Sequence, residues 1–415
     1  MDGGLFLAPV LNAATTGHFI KAGARGGNPA LTGSTGQLNA ILGESGFAAP
    51  NVAGVTVVYD WRILEPRPGV YDFSVIQSVL DLINDHNRSS SASMGLMIEF
   101  QYHGETSGVA VTPYGTAADP HLGEYLMANG NYTAAIWDPT TVVYSYETVN
   151  QRYIDLLSAL SLWEHGTTVN GNTLSYGNLI RGHVLPETSV PGTNHTIPTN
   201  YTDGNYLRAL SAQMNILRSS FQALPAYFQT NYWRSSKDSP SNPVNYHFLW
   251  ELARTACIYK AGVGMPDIRQ YAKASACGTP TDYTPDGLII IQGVLPPAGT
   301  YTVGLPSGSA VAWSSVIPVF PQIEAPDMRW PQTLSWQASQ AVSGYKATSI
   351  SWFHQSQTTT PNCAVDPTDS TNLAMRFTIS DVYTQINNTS LSANLSPSYD
   401  CREGATNPYA IAPQP

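Results

Sequence analysis

The sequence predicts an α/β protein, a closed (β/α)8 or TIM barrel with long loops after its strands. Apolar, β-branched segments alternate with segments of helical periodicity along the chain. Eight strand-like segments can be counted, and strands separated by helices are typical of parallel sheets with crossover helices. The length of 415 residues suits one such barrel with insertions. We therefore predict a single domain over residues 1–415.

The predicted strands are bounded by turn residues or by helical segments. They are residues 5–11, 54–61, 95–104, 180–187, 225–233, 261–268, 317–324 and 348–355. GVTVVYDW and GLMIEFQYHG, the second and third, have the apolar content of parallel strands that are buried on both faces. An open doubly wound sheet is the structural alternative. It would favour a G-x-G-x-x-G loop after the first strand, and that pattern is absent from APVLNAATTG.

Apolar residues at helical spacing mark the segments between the strands. Helices are predicted within 36–46, 74–87, 146–166, 203–221, 245–260, 333–346 and 369–383. Asp203 is predicted as the N-cap of the helix that it begins. Segment 269–317 is the least regular part of the chain. Within it we predict a small insertion between strands six and seven, a hairpin or subdomain at 276–316.

Composition narrows the classes of partner. Charged residues make up 12% of the chain, the formal net charge is −10, and no basic cluster is present. Nucleic acids and anionic membranes bind electropositive surfaces, so neither is an expected partner. No apolar run approaches the roughly 18–20 residues of a membrane span. A neutral polar partner such as a carbohydrate is expected; the sequence leaves the oligomeric state open.

The cysteines and sequons point to life outside the cytoplasm. Of the four cysteines none lies in a C-x-x-C pattern, so a zinc site is not expected. Sequence order suggests the disulfide pairs 257–277 and 363–401, with four free buried thiols as the alternative. Several N-x-S/T sequons agree with secretion. The N-terminus lacks the features of a signal peptide, so we expect a mature secreted or extracytoplasmic chain.

The carboxyl ends of the strands supply the candidate site, because the active site of a (β/α)8 barrel is formed there. The candidates at these ends are Trp61 and Arg62 (strand two), His103 (three), Glu187 (four), Tyr232 and Trp233 (five), Asp267 (six), Glu324 (seven), and Trp352 and His354 (eight).

Two of these candidates, Glu187 and Glu324, predict glycoside hydrolysis. Two carboxylates facing each other across the end of a barrel can protonate the leaving oxygen and attack the anomeric carbon. Their strands allow an approach to about 5–5.5 Å, the separation of retaining enzymes. Either Glu taken alone would be interpreted as a solvated loop charge or a helix-cap partner, and the catalytic interpretation depends on the two together. Glu99, within the third predicted strand, is a rival that must be paired or protonated if it points into the barrel.

The segment WRILEPRPGVYDFSVIQSVLDLI, residues 61–83, resembles the region after the second strand of the retaining (β/α)8 glycosidases. This clan holds many β-galactosidases, β-mannanases and cellulases. The resemblance implies an acid/base Glu after strand four, a nucleophile Glu after strand seven and an aromatic residue at the end of strand eight. By position these are Glu187, Glu324 and Trp352. The clan has Asn before the acid/base Glu, where this chain has Pro186, so this would be an outlying family.

The other candidates have substrate roles with structural alternatives. Arg62 or Tyr232 would steady Glu324, while Trp61 and Trp233 would be sugar platforms or core residues. His103 and His354 would bind hydroxyl groups or be structural, and Asp267 would bind a hydroxyl group or cap a helix. Glu65 is expected to brace the loop after strand two.

Three functions compete at this stage. The first is a glycoside hydrolase acting on a polysaccharide or oligosaccharide. The second is a non-catalytic carbohydrate-binding barrel, such as a surface protein, an adhesin or a phage component. The third is another barrel enzyme, a polysaccharide lyase or a metal-dependent hydrolase. No cofactor or metal is expected, because H-x-H is absent after the first strand and no His/Asp cluster has ligand spacing.

Overall fold

The computed structural model confirms the predicted barrel. It describes residues 17–22, 36–47, 51–102, 134–139, 147–188, 201–229, 252, 255–265, 317–323, 334–344, 346–354 and 378–391. Eight strands form a closed barrel in sequence order, and every neighbouring pair is parallel, including β1 with β8. The strands are β1 Gly17–Lys21, β2 Val52–Asp60, β3 Gly95–Gln101, β4 Ile180–Glu187, β5 Ala226–Gln229, β6 Gly262–Met265, β7 Val319–Ile323 and β8 Ser349–Phe353.

Helices lie between most of these strands. They are α1 Gln37–Gly43, α2 Trp61–Leu64, α3 Ser74–Ser90, α4 Val149–Glu164, α5 Asp203–Ser220, α6 Leu334–Ser339 with a π-helical turn at Gln340–Gly344, and α7 Ile379–Asn388. In α3 the buried residues Ile76, Val79, Leu80 and Ile83 recur at helical spacing and pack against the barrel core. None of the described helices is long and apolar enough to cross a membrane.

The first strand of the barrel differs from the prediction. It is Gly17–Lys21, which pairs with both β2 and β8, and not 5–11, which lies outside the described residues. GHFIK contains a glycine, a histidine and a lysine, so it lacks the continuous apolar pattern that marked the other strands. The structure shows why these residues suit a barrel strand: His18 and Lys21 are both buried and hydrogen-bonded.

The barrel interior is filled by side chains from alternate positions of the strands. Phe19, Met97, Val184, Tyr227 and Phe320 form a cluster there that is separate from the larger core beneath the helices. Gly262 of β6 makes room for the Tyr227 ring. A Cβ atom on Gly262 would lie 2.5 Å from Cδ1 of Tyr227, a distance that ordinary packing does not allow.

Helix α7 packs at the amino end of the barrel. Nε2 of His18 donates a hydrogen bond of 3.1 Å to the carbonyl oxygen of Thr389, the residue after the helix. Val382, Tyr383 and Ile386 of this helix are buried. The helix is therefore part of the barrel's own core.

Three predictions remain predictions. The insertion at 276–316 lies outside the described residues. Cys257 is buried, but Cys277, Cys363 and Cys401 are not described. The pairs 257–277 and 363–401 and the extracytoplasmic location are therefore untested.

Candidate active site

An irregularity in β4 places the Glu187 side chain. Val184 pairs with Tyr227, but Glu187 pairs with Gln229, so three steps along β4 match two along β5. Side chains alternate between the two faces of a strand, so one extra residue reverses the face. Val184 packs in the barrel interior, and the extra residue returns Glu187 to that interior side. In a regular strand Glu187 would share the outward face of Leu185, which belongs to the outer core.

Pro186 lies inside this irregular stretch. Proline has no N–H to donate to a neighbouring strand, so within sheets it is found at bulges and edges. The residue that replaces the clan's Asn is therefore compatible with the bulge that directs Glu187 inward. Beyond the bulge the pairing resumes, since the Thr188 N–H donates to the Gln229 carbonyl oxygen at 3.0 Å.

Glu187 is buried although it ends a strand. Its side chain is among the polar groups with little exposure, at 8%. Its neighbour in register, Gln229, is 1% exposed, and neither atom of the Gln229 side-chain amide has a hydrogen-bond partner among the residues that the structure describes. On the other side of Gln229 the residue in register is Gly264, which has no side chain. A carboxyl group and an unpaired amide therefore lie next to each other at the carboxyl end of the barrel.

Two layers of side chains lie across the barrel interior, each formed by the four odd-numbered strands. The apolar layer consists of Phe19, Met97, Tyr227 and Phe320. The polar layer lies two residues further along each strand and consists of Lys21, Glu99, Gln229 and Gln322. Layers of four side chains from alternate strands are the usual filling of such barrels, but bulky apolar residues normally form them. A polar layer near the carboxyl ends indicates the base of a polar pocket.

Three members of the polar layer are joined to one another by an ion pair and hydrogen bonds. Lys21 Nζ lies 2.9 Å from Glu99 Oε1 and donates to Gln322 Oε1 at 2.6 Å. Gln322 Nε2 donates to Glu99 Oε2 at 2.9 Å. Glu99 thus points into the barrel and is paired. The sequence had left open whether an inward-facing Glu99 would be paired or protonated. The charge of Glu99 is compensated by Lys21 within the layer, so Glu99 has a structural role there.

Phe353, Asp60 and Gln101 complete the described inner surface at this end. Lys21 Nζ lies 4.8 Å from the centre of the Phe353 ring, so that ring faces the barrel axis. Asp60 pairs in register with Gln101, and both are 6% exposed. Sequence reasoning missed Asp60 and Phe353 as site residues. Strand alternation could have identified both. Asp60 lies four residues after Thr56 on β2, and Phe353 lies two residues after Ser351 on β8, and the Thr56 and Ser351 side chains are hydrogen-bonded to each other.

Trp352 does not have the role that the resemblance implied. The ring is 1% exposed and belongs to the outer core, and its Nε1–H donates to Nδ1 of His18 at 2.9 Å. The prediction of a sugar platform at Trp352 is wrong, because adjacent residues of a strand face opposite sides. Phe353 takes the inward position.

His354 also lies on the outer side of β8. Its Nε2 is 2.9 Å from Oε1 of Glu44, which follows α1. This contact agrees with the structural alternative for His354 and not with a hydroxyl partner in the site.

Trp61 is likewise a core residue. It is 1% exposed, its Nε1–H donates to Glu65 Oε2 at 2.8 Å, and its ring meets Tyr153 edge to face at 5.1 Å. A platform role is therefore wrong for Trp61. Arg62, its neighbour in α2, is exposed.

Glu65 braces the loop after α2, as the sequence predicted. It is fully buried and accepts hydrogen bonds from Trp61, from the Gly69 N–H at 2.8 Å and from Arg152. Burial raises the pKa of Glu65, and the Arg152 guanidinium opposes that shift. The segment that carries the family resemblance is thus a structural element at the carboxyl end of β2.

Five predicted site residues lie outside the described residues: His103, Tyr232, Trp233, Asp267 and Glu324. The description of β7 ends at Ile323, the residue before Glu324. Of the ten predicted residues, Glu187 lies at the candidate site, whereas Trp61, Trp352 and His354 lie outside it. Arg62 is exposed on α2. Among the described residues, no group of three His, Cys, Asp or Glu side chains could hold a metal ion.

Comparison with known proteins identifies solved structures that have a similar fold. No protein-family model and no curated protein sequence matches the chain. Among solved structures, a GH5_18 variant from Streptomyces cattleya in complex with Manb1-4GlcNAc has a TM-score of 0.52 at 11% identity, over 92% of this chain and 82% of that chain. A GH5_18 variant from Bifidobacterium longum subsp. longum, in complex with the same ligand, has a TM-score of 0.52 at 10% identity, over 91% and 79%. A GH5_18 protein from Bifidobacterium longum subsp. infantis has a TM-score of 0.50 at 10% identity, over 92% and 80%. The protein therefore shares its fold with (β/α)8 glycoside hydrolases.

Proposed function

We propose that the protein is a glycoside hydrolase in which Glu187 is the acid/base catalyst and Glu324 is the nucleophile. The observation that carries the proposal is the β4 bulge, which turns a buried carboxyl group inward at the carboxyl end of a closed barrel. Active sites of this fold are formed at that end.

The proposed direction of Glu324 is inferred from the alternation of side chains along β7. Phe320 and Gln322 face the barrel interior. Residue 324 is the next position of the same parity and follows the last described residue of β7 by one. Side chains of alternate residues share a face, so a regular continuation would aim Glu324 into the same pocket as Glu187.

The proposed reaction has two steps, and both carboxyl groups take part in each. Protonated Glu187 donates its proton to the glycosidic oxygen while ionised Glu324 attacks the anomeric carbon, so the leaving alcohol departs and a glycosyl ester forms. Ionised Glu187 then takes a proton from water, which attacks the anomeric carbon and releases Glu324. Retention of configuration is part of this proposal.

A β-linked neutral sugar is the proposed substrate class. Two of the compared structures hold Manb1-4GlcNAc, and the net charge of −10 disfavours polyanionic glycans. Aryl β-mannosides and β-N-acetylglucosaminides therefore come first in a substrate panel, followed by β-glucosides and β-galactosides.

Substitution of each catalytic candidate tests the assignment. Glu324→Gln should remove turnover of every aryl glycoside that the wild type cleaves. Glu187→Gln should lower kcat/KM by about 100- to 10,000-fold for poor leaving groups and much less for dinitrophenyl glycosides, whose leaving group needs no proton. Asp81→Asn on the exposed face of α3 is the control and should leave turnover unchanged.

If Glu187→Gln or Glu324→Gln cleaves alkyl glycosides or oligosaccharides as fast as the wild type, the role assigned to that residue is overturned. NMR of the first-formed product measures the anomeric configuration. Inversion would exclude the covalent intermediate and require a carboxyl separation of about 6.5–9.5 Å.

A non-catalytic carbohydrate-binding barrel is the second candidate, and Pro186 favours it. The clan uses Asn before the acid/base Glu to bind the sugar 2-hydroxyl group, and a proline side chain cannot form that hydrogen bond. Saturable sugar binding by a wild type that cleaves no glycoside would establish this alternative.

A further inference from the structure

We infer that Gln229 binds a hydroxyl pair of the sugar at the base of the pocket beside Glu187, and so determines which sugar is accepted. This inference deepens the proposed function and rests on it. Gln229 was not among the residues that the sequence singled out. The clan resemblance assigns it no role.

The first argument is the unpaired amide. Gln229 is 1% exposed, and both its Nε2 and Oε1 are buried without a hydrogen-bond partner among the described residues. Burying a polar group without a partner costs about 1–3 kcal/mol for each group. Buried polar groups in folded proteins are normally paired. A donor and an acceptor left together in this state indicate that a ligand or ordered water completes them.

The second argument is the contrast within the polar layer. Gln322 occupies the equivalent place on β7, and both ends of its amide are bonded, to Lys21 at 2.6 Å and to Glu99 at 2.9 Å. The layer thus has one amide whose donor and acceptor are both bonded within it, and one whose donor and acceptor have no partner among the described residues. Gln229 is the member that lies beside the candidate acid.

The third argument is the space around the amide. Gln229 is in register with Glu187 on one side and with Gly264 on the other. Gly264 presents no side chain to the amide, and a Cβ atom there would lie 2.9 Å from the carbonyl oxygen of Phe320, so this glycine admits the neighbouring backbone of β7. Below Gln229 along β5, Tyr227 closes the interior with an aromatic ring. In the proposed complex the substrate reaches the amide from the carboxyl ends of the strands.

The chemistry of the amide selects the ligand class. A carboxamide offers two N–H donors and a carbonyl acceptor, which matches two neighbouring hydroxyl groups, each of which can donate and accept. The charges nearest in the layer, Lys21 and Glu99, neutralise each other at 2.9 Å. The base of the pocket therefore presents a neutral hydrogen-bonding group, which suits a hydroxyl group better than a carboxylate or a sulfate.

A matched pair of variants separates this role from a structural one. Gln229→Leu removes an unpaired amide, so the Tm of the free protein should stay the same or rise by a few degrees. Gln322→Leu removes an amide that holds Lys21 and Glu99, so its Tm should fall. If Gln229 has a structural role, both variants should lower Tm alike.

Activity is measured with 4-nitrophenyl β-mannoside, β-N-acetylglucosaminide, β-glucoside and β-galactoside. For the glycoside that the wild type cleaves best, Gln229→Leu should lower kcat/KM by about 10- to 100-fold, the loss expected for an unmet hydrogen bond in a buried site. Monodeoxy versions of that glycoside locate the hydroxyl group. The wild type should lose a similar factor for the deoxy position that Gln229 contacts, and Gln229→Leu should lose nothing more there.

The outcomes distinguish this inference from the proposed function. Wild-type turnover with an equally active Gln229→Leu overturns the inference alone and assigns the amide to ordered water. If the wild type cleaves none of the glycosides, the increase in Tm with mannose, N-acetylglucosamine, glucose or galactose is measured instead. An increase that Gln229→Leu abolishes keeps the inference and rejects the hydrolase. Absence of both turnover and stabilisation rejects both.

Discussion

At the scale of single residues, His18 shows how hydrogen bonding fixes a protonation state. Trp352 Nε1–H donates to Nδ1 of His18, so the proton lies on Nε2, which donates to the Thr389 carbonyl oxygen. One neutral ring thereby joins β1, β8 and the end of α7. Burial lowers the pKa of His18 to about 4, because the charged form would lose its hydration.

This pKa predicts acid sensitivity. The pKa of His18 falls from 6.5 unfolded to about 4 folded, so the unfolded chain binds more protons between these values. The free energy of unfolding should therefore decrease as pH falls from 6.5 towards 4, by up to roughly 3 kcal/mol from this residue. Above pH 6.5 the contribution is fully present. Urea unfolding at several pH values from 4 to 8 measures it.

His18→Gln is the comparison for this prediction. Carboxyl groups also titrate in this range, but they do so in both proteins. The free energy of unfolding of His18→Gln should therefore approach that of the wild type as the pH is lowered. If the difference between the two proteins stays constant from pH 8 to 4, the assignment of a neutral buried His18 is wrong.

At the scale of elements, helix starts depend on backbone geometry as well as residue type. The sequence predicted Asp203 as the N-cap of α5, whereas Thr202 has the extended backbone and accepts the Asn205 N–H at 3.1 Å. Asp203 instead lies in the first turn, where a negative charge interacts favourably with the helix dipole. Both residue types are good caps, so composition alone left the start uncertain by one residue.

Helix α7 offers a direct test of a cap. The Thr378 hydroxyl accepts the Asp381 N–H at 3.3 Å, and the Asp381 carboxylate accepts the Thr378 N–H at 2.7 Å, which forms a capping box. Thr378→Ala should lower the free energy of unfolding by about 1 kcal/mol. Thr384→Ala, on an exposed face of the same helix, should change it by less than about 0.5 kcal/mol. Equal effects in urea unfolding would contradict the capping role.

At the scale of the whole molecule, the polar layer joins strands that are far apart in the chain. Lys21 and Glu99 are separated by 78 residues, and Glu99 and Gln322 by 223. No local pattern links them, and closure of the barrel brings them together. The pairing of β4 with β5 brings Glu187 and Gln229 into register at the carboxyl end.

Breaking the ion pair in this layer should be costly. Lys21→Met or Glu99→Leu alone leaves a buried, unpaired charge, and each should lower the free energy of unfolding by about 3–5 kcal/mol. The double variant should lose less than the sum of the single losses, with a coupling of about 1–3 kcal/mol. A double-mutant cycle by urea unfolding measures this coupling, and strictly additive losses would show that the two charges do not interact.

The fold class, most of the helices and seven of the eight strand positions could be predicted from the amino-acid pattern. The predicted strand 180–187 ends at Glu187 as β4 does, and the bracing role of Glu65 could be predicted from the loop motif. The exception was β1: its polar residues, His18 and Lys21, are compensated by distant partners, so the segment has no apolar signature of its own.

Which side chains face the barrel interior could be seen only in the folded protein. Strand alternation shows that Trp352 and Phe353 face opposite sides, but both faces of a parallel barrel strand are buried, so their composition does not reveal which face is inward. The bulge before Glu187 and the pairing of Lys21 with Glu99 likewise depend on neighbouring strands. The identity of a residue determines which reactions its side chain can take part in. The pairing of its strand with the neighbouring strands determines which way that side chain points.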